Sequence, residues 1–214
     1  MLVRERMTHT PLTITSDVSV PEALRLMREK QVRRLPVLDK NGKLVDIVSD
    51  KDLLYASPSP ASSLSVWEIN YLLAKLQVEG VMTRSVITVA EDTSLEEAAR
   101  IMADHKIGGL PVLREGRLVG IITETDLFKT FLELLGARTP GVRVTALIPS
   151  AKGTLAKITQ AVFSVGGDII AFTESMDPGR TRWEITLKVQ DVGRDQLVKA
   201  LEPVVEKIVD VRQV

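Results

Sequence analysis

The chain has 214 residues, with 28 acidic and 28 basic side chains, few aromatic residues and no cysteine. This length suits one large domain or two modest ones, and the charge balance gives no overall basic field that would attract nucleic acid or an anionic membrane. The lack of cysteine excludes disulfides, thiolate metal sites and a cysteine nucleophile. The first ten residues lack the apolar core of a signal peptide, and no apolar run approaches the length of a membrane span. We therefore expect a cytoplasmic protein that binds neither nucleic acid nor membrane.

One long segment of the sequence occurs twice, and its first copy begins at Met7. Residues 12–14 are predicted as a short extended run, and a helix is predicted from Ser19, with Glu22 at the spacing of a capping box. Two strands follow at 35–38 and 44–48, joined by the Asn41-Gly42 turn. A second helix is predicted from Ser49.

The second copy begins at Met82, offset by roughly 75 residues. Before it, residues 56–65 are rich in Pro and Ser and predict a loop, and residues 66–78 predict a connecting helix. The second copy then predicts the same series of elements, with its helices starting at Ser94 and Thr123. Because each β-α-β-β-α unit has an apolar face that it cannot bury alone, we expect the two units to pack together with pseudo-two-fold symmetry.

The C-terminal part has a different pattern, which begins after Thr139-Pro140-Gly141. Strands are predicted at 142–148, 169–173, 183–189 and 208–211, a turn at 177–180, and helices from Gly153 and at 194–205. The order β-α-β-β-α-β is the ferredoxin-like arrangement. The predicted fold class is therefore mixed α/β (α+β), with repeat 1 at 1–60, a linker and connecting helix at 61–78, repeat 2 at 79–136 and a C-terminal domain at 142–214.

Each repeat ends its last strand with Ser/Thr-x-x-Asp, formed by Ser49 with Asp52 and by Thr123 with Asp126. A hydroxyl at a helix N-terminus lies among free backbone N–H groups, where a phosphate can bind. The carboxylate one turn on can accept hydrogen bonds from two vicinal ribose hydroxyls. The same pattern also caps a helix without any ligand, so the motif alone leaves both interpretations open.

The repeats resemble CBS domains. The residues that carry the resemblance are Arg34-Leu35-Pro36-Val37 and Gly109-Leu110-Pro111-Val112, each followed by its strand-to-helix motif. Two matches in register are similar to a CBS pair (a Bateman module), which implies adenine-nucleotide binding through the Ser/Thr-x-x-Asp motifs. The C-terminal part resembles an ACT domain through residues 152–158 and 167–169, which implies amino-acid binding, usually at a dimer interface. The layout of the whole chain is similar to that of the AcuB family of acetoin-utilisation proteins.

The resemblance to CBS pairs also implies which residues line each cleft, because each cleft takes its motif from one repeat and adenine-facing residues from the other. The Asp52 cleft is expected to comprise Arg33, Arg34, Ser49 and Asp52 with Met82, Ile87 and Ile107. The Asp126 cleft is expected to comprise Thr123 and Asp126 with Met7, Leu12 and Val32. The alternatives are a solvated turn for the two arginines and ordinary core for the apolar residues.

The two clefts are not equivalent in charge. Arg33, Arg34 and Lys51 are suited to phosphate recognition in the Asp52 cleft, because guanidinium groups match phosphate oxygens. The second copy has Gly108 and Gly109 before its Leu-Pro-Val strand and Glu124 within its motif. We therefore expect the Asp52 cleft to prefer the more highly charged ligand.

The resemblance to ACT domains implies a second, weaker site. Gly153 would present backbone N–H groups to an amino-acid carboxylate, and Asp168 would receive the amine. The alternatives are a helix-start glycine and a turn residue after Gly166-Gly167.

Catalysis has little support in the sequence. His9 and His105 are the only histidines, and the sequence contains no Walker loop and no zinc-ligand spacing. We therefore expect a non-enzymatic regulatory protein that senses AMP, ADP, ATP or a related adenosyl compound, requires no cofactor or metal, forms a homodimer and regulates a partner enzyme. The alternative is an interaction scaffold in which both modules serve dimerisation and the clefts are empty.

Overall fold

The computed structural model describes residues 1–56, 75–82, 85–176 and 182–214. These residues form two compact units, Met1–Leu127 and Phe128–Val214. The division falls within a helix, Glu124–Leu134, that the sequence-based division assigns to repeat 2. Each unit has hydrophobic clusters of its own, one for each repeat and one for the C-terminal part.

Repeat 1 forms a small sheet with two helices. Its elements are strands β2 (Ile14–Thr15), β3 (Arg34–Leu38) and β4 (Leu44–Ser49) and helices α1 (Val20–Lys30) and α2 (Asp50–Tyr55). The strand order is β2-β3-β4, with β2 parallel and β4 antiparallel to β3. Helix α1 begins where the sequence predicts, because the Ser19 hydroxyl accepts a hydrogen bond of 3.3 Å from the Glu22 amide.

Repeat 2 has the same elements in the same order. They are strands β5 (Val89–Ala90), β6 (Gly109–Arg114) and β7 (Arg117–Thr123) and helices α3 (Leu95–His105) and α4 (Glu124–Leu134). Helices α1 and α3 both end in a left-handed residue, Gln31 and Lys106, and both β hairpins shift register at the corresponding place, after Val37 and after Val112. The predicted β-α-β-β-α repeat is therefore confirmed, although its first strands begin later than the predicted runs.

The segment in front of each repeat packs on the other repeat. A 3-10 turn (Val3–Glu5) precedes strand β1 (Thr8–His9), which pairs with β7 of repeat 2. A second 3-10 turn (Val78–Gly80) packs on repeat 1. The Val3 amide donates to the Thr93 carbonyl (2.9 Å), and the Val78 amide donates to the Val18 carbonyl (3.0 Å). These bonds are equivalent under the repeat offset, so the predicted pseudo-two-fold packing is present.

The predicted connection between the repeats lies largely outside the described residues. The Pro- and Ser-rich loop at 56–65 is described only at Ala56, and the predicted helix at 66–78 only from Lys75 onward. Lys75 is helical, whereas Val78 begins a 3-10 turn. The predicted helix therefore does not continue to Val78, because that residue is drawn into the core of repeat 1.

The C-terminal unit contains a four-stranded antiparallel sheet. Its strands are β8 (Val142–Ile148), β9 (Asp168–Met176), β10 (Trp183–Gln190) and β11 (Lys207–Gln213), and its helices after α4 are α5 (Thr154–Ser164) and α6 (Arg194–Leu201). The strand order is β11-β8-β10-β9. The predicted β-α-β-β-α-β order is confirmed for the described residues, and this is the connectivity of ferredoxin-like domains.

The core of this unit lies between the sheet and helices α5 and α6. Ile158 and Val162 of α5 are buried against the strands, as the helical periodicity predicts. Leu155, which the same periodicity places on the buried face, is 40% exposed, because the buried stripe runs at intervals of four residues through Thr154, Ile158 and Val162. The predicted turn at 177–180 lies outside the described residues, and α6 ends at Leu201, four residues before the predicted end at 205.

Candidate functional site

The first Ser/Thr-x-x-Asp motif lies where β4 ends and α2 begins. Ser49 is the N-cap of α2, and its hydroxyl accepts a hydrogen bond of 3.3 Å from the Asp52 amide. In return, Asp52 Oδ2 accepts hydrogen bonds from the Ser49 amide (2.8 Å) and the Ser49 hydroxyl (2.7 Å). The side chain of Asp52 is exposed at this helix start.

The second motif repeats the bonds to the carboxylate where β7 ends and α4 begins. Asp126 Oδ2 accepts hydrogen bonds from the Thr123 amide (2.9 Å) and the Thr123 hydroxyl (2.7 Å). The capping interpretation is therefore correct for Ser49 and Asp52, and Thr123 and Asp126 share the bonds to the carboxylate. This bonding does not exclude a ligand, because the two oxygens of an ionised carboxylate offer about four acceptor sites.

Arg34 reaches across to repeat 2. It begins β3, opposite Ser49 in the β3–β4 ladder, and its Nη2 lies 3.5 Å from Glu124 Oε1. A Cβ placed on Gly108 would lie 1.9 Å from Arg34 Nη2 and 2.9 Å from Glu124 Cδ, so the ion pair occupies the space above this glycine. The Arg34 guanidinium therefore lies beside the Thr123 motif of repeat 2, although the sequence assigns Arg34 to the Asp52 cleft.

The other predicted basic residues are exposed. The side chains of Arg33 and Lys51 are open to solvent. The Arg33 carbonyl accepts a bond of 3.0 Å from the Asp50 amide, and the Gly108 carbonyl accepts the equivalent bond of 3.1 Å from the Glu124 amide. These two bonds establish Glu124 as the counterpart of Asp50.

The predicted apolar cleft residues are mostly members of the two cores. Met7 is a buried member of the cluster of repeat 2, and Ile87 and Ile107 pack against that cluster. Met82 and Val32 pack against the cluster of repeat 1, and Leu12 is 39% exposed. Met7 begins the first copy but packs in repeat 2, and Met82 begins the second copy but packs against repeat 1. Met7 lies so close to Gly120 that a Cβ there would be 2.3 Å from its Sδ. Met7 is therefore a buried core residue, whereas the other residues that pack against a core are half-buried and keep an exposed surface.

The ion pair between Glu124 and Arg34 is not predicted from the sequence. The sequence shows Glu124 only as an acidic residue within a motif, whereas the structure pairs it with Arg34. A usable signal was present, because the positions of Arg33 and Arg34 in repeat 1 are glycines in repeat 2. Adjacent glycines at a repeat interface indicate a close approach by another group.

The structure does not bring Gly153 and Asp168 together within one chain. Gly153 is the N-cap of α5, with a φ of 83°, and Asp168 opens β9 after the other end of that helix. A helix of 11 residues is about 16 Å long. Because the amine and carboxylate of an amino acid share one carbon atom, a single copy cannot hold both groups with this pair. Asp168 Oδ2 instead accepts a hydrogen bond of 3.0 Å from Gln190 Nε2.

The described residues contain neither a metal site nor a membrane-spanning helix. In the ranges that the structure covers, no group of three or more His, Asp or Glu side chains is arranged to hold a metal ion. Within the same ranges, no helix has both the length and the apolar character that a membrane span requires. An open groove of about 570 Å³ lies against α1 and β2, and its lining, which includes Thr13, Arg25 and Lys40, shares no residue with either motif.

Comparison with known proteins identifies the family. The model of the CBS domain matches residues 3–59 and 78–133, which together make up more than half of the chain. The chain therefore belongs to the CBS domain family, and the first unit is a CBS pair.

Individual relatives resemble mainly this pair. A CBS domain-containing protein of Dictyostelium discoideum is 32% identical over 136 residues, which cover 63% of this chain and 94% of that protein. The L-aspartate semialdehyde sulfurtransferase of Methanocaldococcus jannaschii is 32% identical over 133 residues, which cover 61% of this chain but only 23% of that enzyme. The likeness to this enzyme is thus confined to a small part of it.

Two solved structures share the fold of the pair. The CBS domain pair of protein MJ0100, in complex with 5′-methylthioadenosine and S-adenosyl-L-methionine, has a TM-score of 0.52 at 30% identity, covering 65% of this chain and 98% of that chain. A putative acetoin utilization protein (AcuB) from Vibrio cholerae has a TM-score of 0.53 at 35% identity, covering 64% of this chain and 95% of that chain.

Proposed function

We propose that this protein is a non-enzymatic regulator that binds adenosyl compounds in its CBS pair. One observation carries the proposal: both repeats place a hydroxyl and a carboxylate on the same tight turn at a helix start, in the same hydrogen-bonded geometry. The complex of MJ0100 with two adenosyl compounds supports it, because that protein has the same paired fold.

In this proposal Asp52 and Asp126 accept hydrogen bonds from ribose hydroxyls. The caps hold each carboxylate in place before a ligand arrives, which lowers the entropy lost on binding. AMP, ADP, ATP and related adenosyl compounds are the candidate ligands. Binding regulates only if the ligand has different affinities for two states of the protein.

The C-terminal unit is the proposed output module. Its β-α-β-β-α-β order supports an ACT-like domain, and amino-acid binding there would need a second copy, since Gly153 and Asp168 lie at opposite ends of α5. We propose a cytoplasmic homodimer that regulates an enzyme partner, in the manner implied by the similarity to AcuB. The acetoin pathway itself rests on that similarity alone.

Calorimetry of the purified protein against AMP, ADP, ATP, S-adenosylmethionine and NAD tests the proposal. Asp52→Ala and Asp126→Ala should each weaken binding in their own cleft by about 1–3 kcal/mol, the range for a hydrogen bond to a charged group. Asp50→Ala is the matched control, because Asp50 lies in the same first turn as Asp52 but outside its cap. Thermal midpoints should accompany each titration, since losing a cap costs about 0.5–2 kcal/mol of stability.

The second candidate function is an interaction scaffold. It is favoured by the caps themselves, which give Asp52 and Asp126 a structural role without any ligand. If none of the adenosyl compounds binds while the protein is dimeric, the scaffold replaces the sensor.

A further inference from the structure

Arg34 and Glu124 come from different repeats and meet above Gly108. The side chain of Arg34 is 21% exposed and that of Glu124 is 53% exposed, with 3.5 Å between Nη2 and Oε1. The aliphatic stem of Arg34 also lies against the backbone of Gly109, where a Cβ would be 3.0 Å from its Cδ. The arginine is therefore held in a groove that only glycine leaves open, and its charge is paired with the carboxylate of Glu124.

Glu124 lies within the Thr123–Asp126 motif of the proposed Asp126 cleft. It is the first residue of α4, between Thr123 and the proposed ribose ligand Asp126. In the proposed binding mode the ribose hydroxyls face Asp126, and the 5′ substituent faces Thr123 and the free N–H groups of the helix start. Any charge on that substituent therefore lies close to the Glu124 carboxylate.

The groups at this end of the cleft are poorly suited to a phosphate. The Thr123 hydroxyl already donates its proton to Asp126 Oδ2 at 2.7 Å. The guanidinium nearest to Glu124 is engaged in the ion pair. A phosphate bound there would lie beside the Glu124 carboxylate, and a like charge at a short distance disfavours the charged ligand.

Repeat 1 differs at the equivalent positions. Asp50, the counterpart of Glu124, is followed by the exposed Lys51 and lies next to the exposed Arg33. Cationic side chains there offset the acidic residue, whereas the corresponding positions of repeat 2 are Thr125 and Gly108. The cationic residues at the positions around Asp50 therefore have no counterpart at the corresponding positions around Glu124.

We propose that the Asp126 cleft takes an adenosyl ligand whose 5′ substituent is uncharged or cationic, such as a thioether or a sulfonium, and that Glu124 is the residue that excludes 5′-phosphates. This inference rests on the proposed adenosyl-binding function and specifies the ligand class of one of its two clefts.

The test is calorimetry with three probes that differ at the 5′ position: 5′-methylthioadenosine, S-adenosylmethionine and AMP. Asp52→Asn is introduced throughout to weaken binding in the other cleft, so that the two clefts titrate separately, and Asp52→Ala serves if that variant does not fold. In this background we expect AMP to bind at least about tenfold more weakly than methylthioadenosine. Glu124→Gln should raise the affinity for AMP about tenfold and lower that for S-adenosylmethionine, with little change for methylthioadenosine.

Asp50→Asn in the same background is the matched control, because it removes the equivalent carboxylate from repeat 1 and should leave the order of the three ligands unchanged. The proposal is overturned if AMP binds as tightly as methylthioadenosine, or if Glu124→Gln leaves their affinity ratio unchanged. It is also overturned if Arg34→Ala weakens AMP binding selectively, because Arg34 would then be a phosphate ligand and Glu124 only its resting partner. Binding with an unaltered ratio refutes this inference alone, whereas the absence of binding by every adenosyl compound to the unsubstituted protein refutes the adenosyl-binding function as well.

Discussion

The N-terminal segment packs on repeat 2, and this packing predicts which repeat a substitution in the segment destabilises. Val3 lies ahead of the repeated segment that begins at Met7, yet its side chain is completely buried in the core of repeat 2. Val78 precedes repeat 2 and is completely buried in the core of repeat 1. Val3→Ala should therefore destabilise repeat 2, and Val78→Ala should destabilise repeat 1.

The expected magnitude follows from the groups that each substitution removes. Val→Ala deletes two methyl groups, which contribute about 0.8 kcal/mol each when fully buried. The cavity that remains adds a further cost, because the surroundings relax only in part. We therefore expect each variant to lose about 1.5–3 kcal/mol of unfolding free energy.

Urea unfolding measures the loss, and native-state hydrogen exchange locates it. In Val3→Ala, exchange should accelerate at the start of α3, where the Leu95 amide donates to the Met1 carbonyl at 3.2 Å. In Val78→Ala it should accelerate at the start of α1, where the Val20 amide donates to the Leu76 carbonyl at 2.8 Å. Val209→Ala is the control, because Val209 is 51% exposed, and its effect should stay within about 0.5 kcal/mol.

One result would refute this reasoning. If Val3→Ala accelerated exchange in α1 and left α3 unchanged, the N-terminal segment would pack on the repeat that it precedes. The composition of both clefts would then have to be reassigned, since Met7 follows Val3 on the same segment.

Three further predictions concern other parts of the chain. Arg114 donates hydrogen bonds to Glu91 and so lowers the pKa of that carboxyl. The ionised Glu91 therefore stabilises the fold above the pKa that it has in the unfolded chain, and this stabilisation is lost as pH falls through the lowered pKa. The urea midpoint of Glu91→Gln should thus lie below that of the unsubstituted protein near neutral pH, with a gap that closes in acid; a constant gap contradicts this. Lys188 is buried and donates to the Gly136 carbonyl at 2.8 Å, so Lys188→Met should orphan that carbonyl and cost about 1–3 kcal/mol of unfolding free energy, and an unchanged urea midpoint would mean that the bond contributes nothing. Strands β9 and β11 are the edges of the C-terminal sheet, and we expect light scattering at micromolar concentration to give the mass of a homodimer, whereas a monomer alone would exclude it.

Much of the fold could be predicted because the signals are local. Ser19 and Ser94 cap their helices through amides three residues away, and this spacing is visible in the sequence. The Ser49–Asp52 and Thr123–Asp126 turns are equally local, so their positions at the strand ends were predicted correctly. The separation of Gly153 from Asp168 was also within reach, because the predicted helix between them already implied it.

The Arg34–Glu124 pair was beyond such reasoning, because ninety positions separate the two residues and no periodicity links them. The sequence also does not show that Val3 packs in repeat 2 and Val78 in repeat 1, since a short apolar segment fits either core by composition. The sequence by itself determined the two repeats, their elements and the position of each motif, because hydrogen bonds between near neighbours and apolar periodicity act within a few residues. Only the tertiary structure decided which segment fills which core and which charge meets Arg34, because those choices depend on shape and distance between parts of the chain that packing alone brings together.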